Sequence, residues 1–122
     1  MRDFKRLEIW RRAHALVIAL YKATAGYGRL GYGHLRSQLM RAADSIKTNI
    51  AEGCGTDSNR ELARFLDMSI KSSNETENHL ISVHDLELMP REQWLRYSAE
   101  TVEIRKMTYA YRQKVLEDDE EL

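Results

Sequence analysis

Leu35-Arg36-Ser37-Gln38-Leu39-Met40-Arg41-Ala42-Ala43-Asp44-Ser45-Ile46-Lys47-Thr48-Asn49-Ile50-Ala51-Glu52-Gly53-Cys54-Gly55 is the stretch on which the fold turns. Leu35, Leu39, Ala42, Ile46 and Ile50 recur at intervals of 4, 3, 4 and 4. That is the period of one helical face, not the alternation of a strand. Ala42, Ala43 and Ala51 let a neighbouring helix approach closely. Gly53 and Gly55 then read as a stop, because glycine reaches left-handed backbone angles at low cost. The pattern predicts a helix from about His34 to Glu52.

Three more helices follow on working outward. Upstream, Leu7, Trp10, His14, Val17, Tyr21 and Thr24 form a seam between about Phe4 and Ala25. Ile9, Ala13, Leu16 and Leu20 lie beside it. The apolar surface is wider than a single core contact needs. Either this helix sits deep in the fold, or it has a second burial surface for self-association. Gly26, Gly28, Gly31 and Gly33 make the following segment a flexible connector. It is not a phosphate-binding P-loop, since it lacks G-x-x-x-x-G-K-[ST] and no strand precedes it.

Downstream, Ser58 and Glu61 form an S-x-x-E capping box. The helix it opens continues to about Leu88, with Leu62, Phe65, Leu66, Ser69, Thr76, Leu80 and Val83 on its inner side. The small polar centre of that seam, including Ser72 and Ser73, needs hydrogen-bond partners if buried. Pro90 suits the start of a fourth helix. Tyr97, Thr101, Ile104, Thr108, Tyr111 and Val115 carry that helix to about Leu116. Its aromatic residues again exceed one stripe and are candidates for a protein interface.

Short connections predict antiparallel neighbours. The fold class is therefore all-α, an antiparallel up-down-up-down four-helix bundle over residues 1–116, followed by an acidic tail at 117–122. The chain has 122 residues, enough for one domain with its own core. Six glycines and one proline, confined to three places, exclude a sandwich or barrel. One cysteine, Cys54, excludes a disulfide framework and a Cys-rich zinc site. No apolar run is long enough to span a membrane. The amphipathic start is unlike a signal peptide, so the expected location is cytoplasmic.

Charge is balanced, with 19 basic and 19 acidic side chains. Residues 1–48 nevertheless carry +7, and five acids crowd positions 117–121. Arg11 and Arg12 on the first helix, with Arg36, Arg41 and Lys47 on the second, are the candidate nucleic-acid contacts. A local field binds phosphate even on a neutral chain. The competing reading pairs these cations with acids of the third and fourth helices.

No catalytic constellation is present. His79 and His84 do not share a helical face, and no Glu-x-x-His or H-E-x-x-H occurs. His14 reads as a buried, hydrogen-bonded histidine. Cys54 reads as an ordinary thiol in a turn, with no local base to activate it. Glu75 and Glu77 point to different sides of a helix and read as solvated or ion-paired. The expectation is a non-enzyme with no cofactor, metal or small-molecule substrate.

Ser45-Ile46-Lys47-Thr48-Asn49-Ile50-Ala51-Glu52-Gly53 resembles the S-I-x-x-N-I-A-E-G core of a bacterial four-helix bundle family. Its type members are encoded in intervening sequences of 23S ribosomal RNA genes. The family also includes the accessory variability determinant of diversity-generating retroelements. Phe4-x-x-Leu7-x-x-Trp10-x-x-Ala13, Leu35-x-x-Gln38-Leu39-x-Arg41-Ala42-Ala43, Arg64-Phe65-Leu66 and Ser72-x-x-Glu75-x-Glu77-x-x-Leu80 extend the resemblance over about residues 4–115. The chain departs from the family in lacking Phe-Pro before the second helix and in having Lys47 where proline is common.

The resemblance implies a ring-like homopentamer without known catalysis, whose retroelement member binds a reverse transcriptase and nucleic acid. Asn49, Glu52 and Gly53 are its structural signature: Asn49 and Glu52, on one face near the end of the second helix, are expected to bond backbone groups or a neighbouring helix and fix the turn through Gly53, the alternative being a ligand or subunit contact. The leading expectation is a homo-oligomeric, pentameric scaffold that binds RNA or a nucleic-acid-handling protein such as a reverse transcriptase. The alternative is a protein-interaction module using the aromatic residues of the fourth helix, without nucleic acid.

Overall fold

A computed structural model describes residues 2–120. Four helices follow one another: α1 (Glu8–Ala23), α2 (Gly33–Cys54), α3 (Asn59–Asp85) and α4 (Arg91–Glu120). A 3-10 turn at Phe4–Arg6 precedes them. The predicted first helix is thus broken near its start. The Asp3 carboxylate accepts the Lys5 N–H, and Leu7 is extended at φ −81°, ψ 128°. A short acidic side chain bonding its own backbone competes with the helical ladder at this point.

The helices form an antiparallel square. Between α3 and α4, Asn59 meets Val115, Asp67 meets Arg112, Glu77 meets Arg105, and Leu80 meets Trp94. The two series run in opposite directions. Likewise Ser69 and Ser72 of α3 bond Ile46 and Ser45 of α2. On the α1–α2 side, His14 meets Lys47 and Thr24 meets Arg36. Among the described residues α1 does not pack on α3, nor α2 on α4, so those pairs are the diagonals.

The core follows the predicted stripes of α2, α3 and α4; on α1 it follows Ile9, Ala13, Leu16 and Leu20, while Leu7, Trp10 and His14 of the predicted seam are half-buried and Tyr21 is exposed. Leu20, Leu39, Ile46, Ile50, Leu62, Leu66, Leu80 and Ile104 are all fully buried. Their apolar burial is the main drive to fold. The small polar centre of α3 is satisfied. Ser69 donates to the Ile46 carbonyl at 2.9 Å, and Thr76 to the Ser72 carbonyl at 2.8 Å. On α4, Thr101 and Thr108 donate to carbonyls one turn back on their own helix. Such bonding removes the desolvation cost that the hydroxyls would otherwise carry.

Three details differ from the sequence expectation. First, α2 does not stop at Gly53 but includes it, and Gly55 caps the helix with an ordinary φ of −81°. Neither glycine is left-handed. A Cβ on Gly53 would lie 2.9 Å from Leu62 Cδ1 and 2.9 Å from Phe65 Cβ, so this glycine serves close helix contact. Cys54, expected in a turn, is the buried last residue of α2. Second, the glycine connector is a series of ordered turns. Buried Tyr27 donates its hydroxyl to the Leu88 carbonyl at 3.2 Å, and Gly31 alone supplies a positive φ, +89°. Third, α4 continues past Leu116 to Glu120, and Asp119 lies 3.7 Å from Arg60. Glu121 and Leu122 of the acidic run lie outside the described residues.

Ser58 caps α3 as predicted, its hydroxyl accepting the Glu61 N–H at 3.1 Å. The Glu61 carboxylate turns instead to Arg64, so only half of the capping box forms. At the other end, the Leu88 N–H reaches the Val83 carbonyl and the Glu87 N–H the His84 carbonyl, both at 3.0 Å. This is a Schellman closure, and it places Glu87 at φ +55°. Glycine adopts that conformation without strain. Glu87→Gly should therefore raise stability by about 0.5–1 kcal/mol, read as a higher urea midpoint at unchanged slope. A lower midpoint would contradict this account of the turn.

Burial also sets an alkaline limit. Desolvation pushes the Cys54 thiol above its ordinary value of 9.0, and the Tyr27 and Tyr111 phenols above 10.0. The folded state thus holds these protons more tightly than the unfolded chain. Their contribution is complete below the unfolded pKa values and is lost as pH rises through the folded ones. Urea midpoints should be level from about pH 6 to 8 and fall above about pH 9. A midpoint that rises between pH 8 and 10 would contradict the assignment.

Candidate nucleic-acid interface

The five candidate cations have three different fates. Arg12, on α1, faces α4. Its Nη2 and Nε reach Glu100 at 2.6 and 2.9 Å, and Glu8 lies 3.8 Å away. The hydrogen bond to Glu100, with Coulombic help from Glu100 and Glu8, raises the guanidinium pKa further despite some desolvation. Lys47 points the other way, toward α1. Its ammonium donates to His14 Nδ1 at 3.0 Å, lies 5.9 Å from the Trp10 ring centroid, and has Asp44 at 3.9 Å. His14 is half-buried and stacked on Trp10 at 5.0 Å. Arg12 pairs with an acid of α4, while Lys47 meets no acid of the third or fourth helix and instead joins α2 to α1.

Arg11 is exposed and donates to the Lys5 carbonyl at 3.1 Å. It stands apart from the rest, at the start of α1.

Arg36 and Arg41 are brought together. Both line a groove of about 470 Å³ between the end of α1, the glycine turns and the start of α2. Arg36 is held in place: Nε donates to Thr24 Oγ1 at 3.0 Å, and Nη2 to the Tyr21 carbonyl at 3.3 Å. Its guanidinium also sits 5.4 Å from the Tyr21 ring centroid. Thr24 is fully buried and donates in turn to the Leu20 carbonyl. Every partner of Arg36 is neutral, so its charge is not cancelled by contact. Arg41 is exposed and has no ion pair among the described residues.

Tyr21 was not a candidate from sequence, because its spacing placed it on the core seam of α1. In the fold it is 42% exposed and lines the same groove. Its neighbour on that seam, Thr24, is buried. A seam read at ideal helical spacing does not show which of its residues meets a partner helix.

Asn49 donates to the Ser45 carbonyl and Ser45 Oγ, both at 2.9 Å, and Ser72 of α3 bonds the same Ser45 hydroxyl. Its work is thus inside α2 and at the α2–α3 contact, not at the turn. Glu52 is exposed, and its carboxylate has no partner among the described residues; only its carbonyl serves the turn, accepting the Gly55 N–H. Gly53 sits against Leu62 and Phe65 of α3, with no room for a Cβ between them.

A second surface lies between α1 and α4. Ala15, Ala19 and Tyr97 floor two shallow grooves there. Ile18 lines one of them and is 40% exposed; Leu95 and Tyr109, elsewhere on α4, are 44% and 54% exposed. No group of three or more His, Cys, Asp or Glu residues suited to a metal occurs among the described residues. Glu77 pairs with Arg105 at 2.8 Å, and Glu75 lies 3.8 Å from His79. No described helix is long and apolar enough to cross a membrane.

The model of the 23S rRNA-intervening sequence protein family matches residues 5–110. The chain belongs to this family. Its fold is similar to a crystal structure from Bacteroides thetaiotaomicron, described as a protein of unknown function from the S23 ribosomal protein family. The TM-score is 0.79 at 21% identity, covering 85% of this chain and 97% of the other. At that identity the likeness concerns the fold. No curated protein sequence matches this family member. Its signature Asn49 and Gly53 are explained by helix packing; Arg36 also joins α2 to α1, but it does so through neutral acceptors, which leaves its charge and that of Arg41 without a carboxylate contact among the described residues.

Proposed function

We propose that this protein is a non-catalytic, homo-oligomeric helical scaffold of the cytoplasm that holds RNA, directly or with a nucleic-acid-handling protein such as a reverse transcriptase. The observation that carries the RNA reading is the groove in which Arg36 and Arg41 stand without a carboxylate contact to cancel either charge. Asp44 lines that groove too, but Lys47 is 3.9 Å from it. Guanidinium groups donate short, charge-assisted hydrogen bonds to phosphate oxygens.

Self-association is supported by the exposed apolar side chains of α1 and α4, in keeping with the pentamer that the family resemblance implies. Exposed, contiguous apolar surface marks an interaction site more often than chance. In a ring the groove is repeated in every copy, and avidity multiplies a weak single contact.

The test is titration of a labelled structured RNA with protein of measured mass, at about 50 and 200 mM salt. The expected result is an assembly of about five 14.3 kDa chains whose RNA affinity falls steeply with salt. A monomer would discard the scaffold. An assembly that ignores RNA at low salt would discard the RNA reading and leave Leu95 and Tyr109 of α4 as the contact for a protein partner.

A further inference from the structure

We infer that the groove between α1, the glycine turns and α2 takes one unpaired nucleotide of single-stranded RNA, with the base on Tyr21 and the phosphate on Arg36 and Arg41. This rests on the RNA reading above and narrows it from a charged surface to a site of defined ligand chemistry. Tyr21 keeps 42% of its surface exposed, although α1 and α2 bury most apolar residues beside it. The Arg36 guanidinium lies over one face of its ring, 5.4 Å from the centroid, so the base stacks on the other face. An aromatic ring and an arginine plane are the two surfaces on which proteins stack unpaired bases.

Arg36 is ready for this contact. The bonds to Thr24 Oγ1 and the Tyr21 carbonyl fix Nε and Nη2, and Nη1 has no protein acceptor among the described residues. Rotamer freedom that binding would otherwise remove is already lost in the free protein. The groove volume, about 470 Å³, falls in the range of clefts that hold small ligands. Gly28, with open space where a Cβ would stand, keeps one wall clear. Ser37 and Asp44 offer oxygen acceptors in the same groove, to which a ribose 2′-hydroxyl can donate.

Duplex RNA cannot use Tyr21, because its base faces are already stacked on one another. A duplex would meet only the arginines, through phosphate. The structure therefore separates the two forms by a single side chain.

The experiment titrates the full-length protein with a short labelled oligoribonucleotide lacking self-complementarity, and with the duplex of that strand and its complement. Wild type should bind the single strand more tightly. Tyr21→Leu should weaken single-strand binding by about 5- to 100-fold and leave duplex affinity unchanged. Tyr21→Phe, which keeps the ring, should restore it. Thermal melts of both variants confirm that the bundle persists. Should Tyr21→Leu bind the single strand as wild type does, or lose both RNAs in parallel, the site is wrong while the RNA reading stands. Should wild type bind neither RNA at low salt, the RNA reading falls and the site with it.

Discussion

Gly53→Ala is expected to lower the stability of the bundle by about 1–3 kcal/mol, the usual cost of overpacking a filled interface. Intrinsic propensity points the other way, since alanine is favoured over glycine inside a helix by about 0.5–1 kcal/mol. Contact decides the sign. The new methyl would stand 2.9 Å from Leu62 Cδ1 and 2.9 Å from Phe65 Cβ. Leu62 has a rotatable end, but Phe65 Cβ is fixed to the α3 backbone. The methyl can be admitted only if α2 and α3 move apart, which loosens contacts around Leu62, Leu66 and Ile50 as well.

Gly55→Ala is the control. Its nearest neighbour is the Glu52 carbonyl at 3.4 Å and its φ is ordinary. That change should be neutral or stabilising by up to about 1 kcal/mol, through the unfolded chain. Urea unfolding of both variants checks the pair. A Gly53→Ala protein as stable as wild type would mean the helices are not in contact there.

Replacing Arg36 and Arg41 together by glutamine is expected to weaken RNA binding severely and to reduce its salt slope by about one per phosphate contact removed. Both arginines are repeated in each copy of an assembly, so the loss is multiplied by the number of chains engaged. Stability should fall by about 1–2 kcal/mol, because Arg36 gives up its bonds to Thr24 Oγ1 and the Tyr21 carbonyl, while Arg41 has no ion pair among the described residues; urea unfolding of the variant separates that loss from the loss of RNA binding.

Arg12→Gln should differ in sparing RNA binding. Arg12 is 32% exposed and clamps Glu100 across the α1–α4 contact. Its loss should cost up to about 1 kcal/mol after solvent screening, with an unaltered salt slope for RNA. Fluorescence anisotropy across a salt series separates the two variants. Equal slopes for the wild type and the Arg36–Arg41 variant would show that phosphate is held elsewhere.

Most of the architecture was legible because its causes are local. The stripes of α2 and α3, the Ser58 cap and the turn ahead of Arg91 all follow from spacing within one helical turn. Errors lie where a local rule met a competing contact. Asp3 bonding the Lys5 amide split the first helix. Gly53 obeyed the space beside Leu62 and Phe65, not the left-handed preference of glycine. Of the candidate site, Arg36 and Arg41 were named by charge alone, while Tyr21 was hidden by its place on a helical seam.

The amino-acid sequence by itself determined the helix number, the inner faces of α2, α3 and α4, and the family signature. Each depends on residues within a few positions of one another, or on a pattern that recurs among related chains. Tertiary structure alone decided which charges are free. Arg12 and Glu100 are 88 positions apart, as are no two groups that a helical period could relate. Arg36 reaches Thr24 only because the glycine turns fold α2 back along α1. An ion pair depends on the distance between two side chains in space, and that distance exists only once the bundle has closed.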